Sequence, residues 1–197
     1  MLFAPGAGAP SSSRWMEGWA ARLEALGRVV RFDYPYLKSG RKSPDRLPVL
    51  VEAHRTALAE ARRDHRGPVV LAGKSMGARV GCHAFPGPEV AAHLCFGYPL
   101  RGARGDVRDA VLLALRTPVL FLQGSKDPLC PLELLEGVRA RMEARSSLHV
   151  VEGGNHSLEV GVRGLRERGE SQEKVDQRTF EAVRAFLAEV LKAEARG

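Results

Sequence analysis

Gly73-Lys74-Ser75-Met76-Gly77 stands between an apolar run, Pro68-Val69-Val70-Leu71-Ala72, and a stretch of helical character, Ala78-Arg79-Val80-Gly81-Cys82-His83. Strand, then G-x-S-x-G, then helix is the layout of a nucleophile elbow. A sharp, strained turn lifts the serine hydroxyl to the carboxyl edge of a sheet, and the flanking glycines leave room for the backbone to cross there. The pentapeptide alone also fits a serine at any tight strand-to-helix turn, so the residues around it must decide.

Working outward, apolar runs and helical periodicities alternate. Met1-Leu2-Phe3-Ala4 reads as a strand closed by Pro5-Gly6-Ala7-Gly8-Ala9-Pro10. Ser13 is placed to cap a helix from Arg14 to Leu26, whose Trp15, Trp19, Leu23 and Leu26 share one face. Val29 to Asp33 reads as a second strand, followed by Tyr34-Pro35-Tyr36, a polar loop to Pro44 and a helix from Pro48 to Asp64. Beyond the elbow come a strand at Ala92 to Phe96 closed by Gly97-Tyr98-Pro99, an Arg- and Gly-rich loop at 101–105 and a short helix from Asp106 to Leu115. Pro118 to Gln123 is the clearest strand; helix 132–144, strand 148–151 and a terminal helix from Lys174 to Ala195 complete the chain. Such alternation predicts one α/β domain over 1–197, a three-layer α/β/α sandwich with a mostly parallel sheet of about six strands.

A serine hydroxyl needs a histidine to take its proton and a carboxylate to orient that histidine. In a parallel sheet both partners must lie in loops after later strands. Asp127 stands in Gly124-Ser125-Lys126-Asp127-Pro128, directly after the clearest strand, and His156 ends Glu152-Gly153-Gly154-Asn155-His156, directly after the last. The other five histidines read otherwise: His54 and His65 as exposed helix positions, and His83, His93 and His149 within a helix or strands. Asp106 and Asp109 are the fallback acids. Ser75, Asp127, His156 is the order of partners in the α/β-hydrolases. Stabilising an oxyanion takes two N–H donors, that of Met76 and one from the loop after the first strand, with Gly8 and Ala9 as the candidates and Ala7 beside them. Tyr34, Tyr36, Tyr98 and Leu129, after strand ends, are expected to line a shallow apolar cleft. Lys74, Lys126, Arg101, Arg104, Arg163, Arg166 and Arg168 could converge into a basic rim that would draw anionic substrates; the alternative is that most point into solvent or pair with Glu159, Glu167 and Glu170.

Together with Phe3-Ala4-Pro5-Gly6-Ala7-Gly8, Phe32-Asp33-Tyr34-Pro35-Tyr36, Gly97-Tyr98-Pro99 and Gln123-Gly124-Ser125-Lys126-Asp127-Pro128, these motifs resemble the small α/β-hydrolases grouped with the testis-expressed and histone-acetyltransferase-complex-subunit-like proteins, near the dienelactone-hydrolase-like branch. The resemblance implies a hydrolase fold with a Ser, Asp, His triad that cleaves carboxylic esters or related acyl bonds. Some members of the group are complex subunits, so a non-catalytic interaction protein is the alternative. The pattern departs from the full fold in two respects: it begins at what would be the third strand, so that the first antiparallel hairpin is missing or the true start lies upstream, and it has no stretch long enough for a cap domain. A minimal fold with an open site is expected.

Composition narrows the remaining classes. The net charge of +7 is carried mostly by arginine, since lysine supplies six of 30 basic residues, and acids are interspersed without the aromatic interleaving of a nucleic-acid surface. Three cysteines (82, 95, 130) without a C-x-x-C pair suggest neither a disulfide framework nor a zinc site. No metal or cofactor is expected. Nor is a leader or a membrane span, and the reading is a cytoplasmic monomer or homodimer acting on a small ester-like molecule. A dinucleotide-binding unit is mimicked by Gly6-Ala7-Gly8 and Asp33, yet Ser11 replaces its third glycine. A phosphate-binding loop would need a glycine where Pro68 stands.

Overall fold

The structure, a computed structural model, describes residues 1–102 and 104–194. Six parallel strands form one sheet: β1 (Leu2–Ala4), β2 (Val30–Arg31), β3 (Val70–Lys74), β4 (Ala92–Phe96), β5 (Val119–Gly124) and β6 (Ser146–Val151), in the order β2-β1-β3-β4-β5-β6. Eight α-helices connect them among the described residues: α1 (Arg14–Leu23), α2 (Pro35–Lys38), α3 (Leu47–Arg62), α4 (Met76–Ala84), α5 (Ala110–Ala114), α6 (Leu132–Arg139), α7 (Val162–Glu167) and α8 (Gln172–Glu194).

Period-2 alternation sorts each strand's side chains onto two faces. Phe3, Val70, Ala72, Leu94, Phe96, Leu120 and Leu122 face Met16, Trp19 and Leu23 of α1 and Val183, Phe186, Leu187 and Val190 of α8. On the opposite face Leu2 and Leu71 pack on Leu58 of α3, and Cys95, Val119 and Phe121 on Cys82, Leu112 and Leu135 of α4, α5 and α6. The strands are therefore apolar on both sides, as a sheet covered by two helical layers requires.

Chain direction across the sheet reverses once. From β1 the chain moves outward to β2, then returns over the other face to lay β3 on the free side of β1. The crevice between the carboxyl ends of β1 and β3 is thus a topological switch point, the place where open α/β sheets accept ligands. Gly6 and Ser75 both lie there.

Several extents differ from the sequence reading, each for a local reason. β2 is two residues long because Asp33 leaves the ladder: its Oδ1 accepts from the Ser11 N–H at 2.6 Å and ties the strand end to the loop after β1. Pro35 supplies a preset φ for a one-turn helix, α2, where a loop was expected. α1 stops at Leu23 and tightens into a 3₁₀ turn to Leu26, and the Ser13 side chain makes no cap bond. α5 and α6 are shorter than read, while α7 occupies part of the expected loop after His156. The expected end of α8 at Ala195 lies outside the described residues. His54 is fully buried rather than exposed: its Nδ1 lies 3.2 Å from the Tyr34 hydroxyl, and burial pushes its pKa down to about 3, so it is neutral.

The elbow is built by two close approaches. A Cβ on Gly73 would stand 2.3 Å from the Ala78 nitrogen, and one on Gly77 would stand 2.6 Å from the carbonyl oxygens of both Ala4 and Pro5. Neither neighbour is a flexible side chain, so Gly77→Ala must push α4 off the end of β1. Expected is a loss of about 1–3 kcal/mol in urea unfolding; wild-type stability would show that the approach is not tight.

Candidate active site

Ser75 sits between β3 and α4 at φ 50°, ψ −114°, with its N–H bonded to Phe96 O at 2.9 Å. This left-handed conformation, rare for a residue with a side chain, is what turns the chain sharply enough to leave the hydroxyl at the sheet edge. Asp127 follows β5. Its carboxylate is buried, with Oδ1 accepting from the Leu129 N–H at 2.9 Å and Oδ2 from Gln123 Nε2 at 2.5 Å. Gln123 is itself fixed, because its Oε1 accepts from the Tyr98 N–H at 3.1 Å.

His156 follows β6 and touches both. Nδ1 lies 2.7 Å from Asp127 Oδ2, and Nε2 lies 2.7 Å from Ser75 Oγ. A carboxylate can only accept, so Nδ1 carries the proton and Nε2 is left as the acceptor for the serine hydroxyl. Burial pushes the Asp127 carboxyl up, but the hydrogen bond and charge of His156, with the bonds from Leu129 and Gln123, outweigh it and hold the group below the ordinary aspartate range.

The acid and base loops are stitched together. Lys126 N–H donates to Gly154 O at 2.9 Å, Ser125 N–H to Val151 O at 3.0 Å, and Gly153 N–H to Ser125 Oγ at 2.7 Å. Gly124 allows this, since a Cβ there would stand 2.3 Å from both Gly154 O and Asn155 O. Asn155 Oδ1 then accepts from the N–H groups of Ser157 and Glu159, at 2.7 and 3.1 Å, closing the base loop on itself.

Across the switch point, Gly6 packs beside Ser75: a Cβ on it would be 3.5 Å from Ser75 Cβ. Gly8 takes φ 80° and its N–H faces the Tyr36 hydroxyl, which also lies 3.5 Å from Gly6 O. The N–H groups of Ala7 and Ala9 have no hydrogen-bond acceptor among the described residues. Met76 opens α4, where a first-turn N–H has no intrahelical partner.

Three of the four residues expected to line the cleft do not reach its surface. Tyr34, Tyr36 and Tyr98 are 0% exposed. Tyr34 and Tyr36 stack at 6.4 Å and pack with Ala4, Leu50, Met76 and Val80, while Tyr98 meets Phe121 edge-on at 5.9 Å. The rings turn inward because each strand end drops straight into a helical layer with apolar volume to fill. Leu129 alone of the four is exposed, at 37%. The fallback acids are occupied elsewhere, Asp106 near Arg108 at 3.6 Å and Asp109 with Arg141 at 3.2 Å. Of the two readings of the basic residues, pairing is the one seen for Arg163 with Glu167 at 2.8 Å and Arg168 with Glu170 at 3.8 Å, while Lys74 donates to the carbonyl oxygen of His156. Gln123 carries no role in the sequence reading beyond ending the clearest strand; its signal is a single amide side chain inside an otherwise apolar strand.

A family model of the alpha/beta hydrolase domain matches residues 1–188. The chain belongs to that family. Among solved structures, this alpha/beta hydrolase resembles Est1E from Butyrivibrio proteoclasticus, at 15% identity and TM-score 0.69 over 97% of this chain and 87% of that one. It also resembles an alpha-beta serine hydrolase homologue from Coxiella burnetii, at 20% identity and TM-score 0.68 over 79% and 76% of the two chains. The RedJ thioesterase from the prodiginine biosynthetic pathway in Streptomyces coelicolor aligns over 94% of this chain and 89% of that one, at 19% identity and TM-score 0.66. At such identities the likeness carries the fold. No helix among the described residues is long and apolar enough to cross a membrane.

The Asp127 carboxyl gives this alpha/beta hydrolase a pH signature. Its pKa is lower folded than unfolded, so its contribution to stability is fully present above the ordinary aspartate pKa of about 3.9 and is lost as pH falls through the folded value. Urea unfolding of wild type and Asp127→Asn should therefore give a stability difference that shrinks as pH drops from 5 toward 3. A difference that stays constant would contradict the depressed carboxyl.

Proposed function

We propose that this alpha/beta hydrolase is a serine hydrolase that cleaves carboxylic esters or related acyl bonds through an acyl-enzyme on Ser75. The carrying observation is the unbroken relay Ser75 Oγ to His156 Nε2, His156 Nδ1 to Asp127 Oδ2, with both links at 2.7 Å and three different loops contributing. Geometry of this kind is the requirement for an activated serine.

In the proposed cycle Ser75 Oγ attacks the acyl carbon while its proton passes to Nε2. Asp127 stays ionised and offsets the imidazolium charge. As the tetrahedral adduct collapses, Nε2–H gives that proton to the departing alkoxide, leaving the acyl group on Oγ. Water then enters along the same path and attacks the acyl carbon as its proton passes to Nε2; the second adduct collapses by breaking the acyl–Oγ bond, Nε2–H returns the proton to Ser75 Oγ, and the acid leaves. The oxyanion formed in each half meets the Met76 N–H and an N–H from the Gly8 and Ala9 turn, and the positive end of α4 supports it.

The remaining features of the reading are consistent with this role. Lys74 in the elbow and Gly97-Tyr98-Pro99 at the end of β4 place the chain, in our reading, beside the testis-expressed and histone-acetyltransferase-complex-subunit-like hydrolases. Segment 97–109 between β4 and α5 carries only the Arg101 to Val107 bridge among its described residues. We infer an uncapped site suited to small or end-on acyl substrates, in one cytoplasmic domain acting without metal or cofactor.

Ser75→Ala should cut hydrolysis of p-nitrophenyl acetate by more than about a thousandfold and abolish labelling by a fluorophosphonate probe, with an unchanged melting curve. Turnover near wild type in that variant would remove the assignment.

A further inference from the structure

We propose that Lys74 is a positioning residue that holds the base against the nucleophile by fixing the main chain of His156. The proposal rests on the serine-hydrolase reading. Lys74 is the last residue of β3 and the immediate neighbour of Ser75. Its side chain is half-buried, and its ammonium donates to the carbonyl oxygen of His156, 82 residues away. No carboxylate among the described residues lies within ion-pair distance of it.

The slot that holds this side chain is shaped on three sides. Nζ lies 5.4 Å from the centre of the Trp15 ring, near enough for the ring face to attract the charge. A Cβ on Gly97 would stand 3.3 Å from Nζ, and one on Gly6 would stand 3.3 Å from Lys74 Cγ. Gly97 also takes φ 64° and packs against His156, where a Cβ would be 2.4 Å from the carbonyl oxygen and 3.4 Å from Nδ1. Ammonium and imidazole therefore flank the same small gap.

Burying an unpaired ammonium is costly, and that cost pushes the Lys74 pKa down to about 8, with Asp127 and Glu159 acting weakly the other way. What it supplies in return is specific. No backbone N–H among the described residues donates to His156 O. The next carbonyl, that of Ser157, is held the same way, accepting from Trp15 Nε1 at 2.9 Å. Two consecutive carbonyls of the base loop are thus pinned by side chains from β3 and α1. Because the His156 carbonyl is one bond from its Cα, pinning it sets the direction from which Nε2 meets Ser75. The pin and the nucleophile are adjacent residues of one strand end, so a shift of one carries the other.

Lys74→Met, which fits the same slot without a donor, should lower kcat for p-nitrophenyl acetate about ten- to a hundredfold, the scale of a misplacement of about 1 Å. Labelling by a fluorophosphonate should slow by the same factor, KM should stay within about twofold, and Tm at pH 7 should stay close to wild type, because relief of the ammonium's desolvation offsets the lost hydrogen bond. A role in folding alone would move Tm and leave labelling of the folded fraction unchanged, and that result overturns the proposal, as does wild-type kcat. If Lys74→Met does not fold, Lys74→Gln is judged by the same labelling rate, slowed at wild-type Tm in support or undiminished in refutation. The Ser75→Ala control separates the two readings: persistent turnover there overturns the serine-hydrolase reading, whereas an inactive Ser75→Ala beside an unimpaired Lys74→Met overturns the positioning role alone.

Discussion

Backbone at φ 50° costs a serine about 1–3 kcal/mol unless its surroundings over-determine it, and at Ser75 they do. Gly73 lies under the first turn of α4, Gly77 lies on the carbonyls that end β1, and the Ser75 N–H is bonded to β4. The turn cannot relax without lifting a helix off two strands. Every other site group is placed relative to this fixed point, which is why the loops that follow β1, β5 and β6 all close on it.

Rigidity is distributed unevenly around that point. The acid is locked by Gln123 and Leu129, and the base by its stitched loop and by two side-chain donors, so the relay is preorganised rather than assembled on binding. The loop after β1 is looser by comparison. Gly8 is exposed, and Ala7 and Ala9 have N–H groups without acceptors among the described residues.

The strand-helix alternation, the glycines of the elbow and the loop positions of Asp127 and His156 were legible because each depends on short-range pattern: period 2, period 3.6, and a turn with one steric solution. The direction of side chains after strand ends was not. Tyr34, Tyr36 and Tyr98 looked like cleft residues because they follow strands at the right edge, yet whether a ring points to solvent or core is set by the volume left between the sheet and α3, α4 or α5, which no local window contains. His54 was misplaced for the same reason, its burial depending on Tyr34 and Phe32 from another segment. Lys74 was readable as charge but not as a partner of the His156 carbonyl, whereas pairing of the arginines after β6 with Glu167 and Glu170 was one of the two readings of that loop. What the sequence did not show is the helix, α7, that brings Arg163 and Glu167 together at i,i+4, since Gly161 and Gly164 interrupt its pattern.

The separations in the chain carry a further meaning. Ser75 meets His156 across 81 residues, and Trp15 meets Ser157 across 142. Contacts so distant form late, after the intervening loops have closed. During synthesis from the amino end, β1, α1 and the elbow emerge well before the segment that carries His156. On the serine-hydrolase reading, activity through Ser75 would therefore report the finished sheet, because His156 follows its last strand.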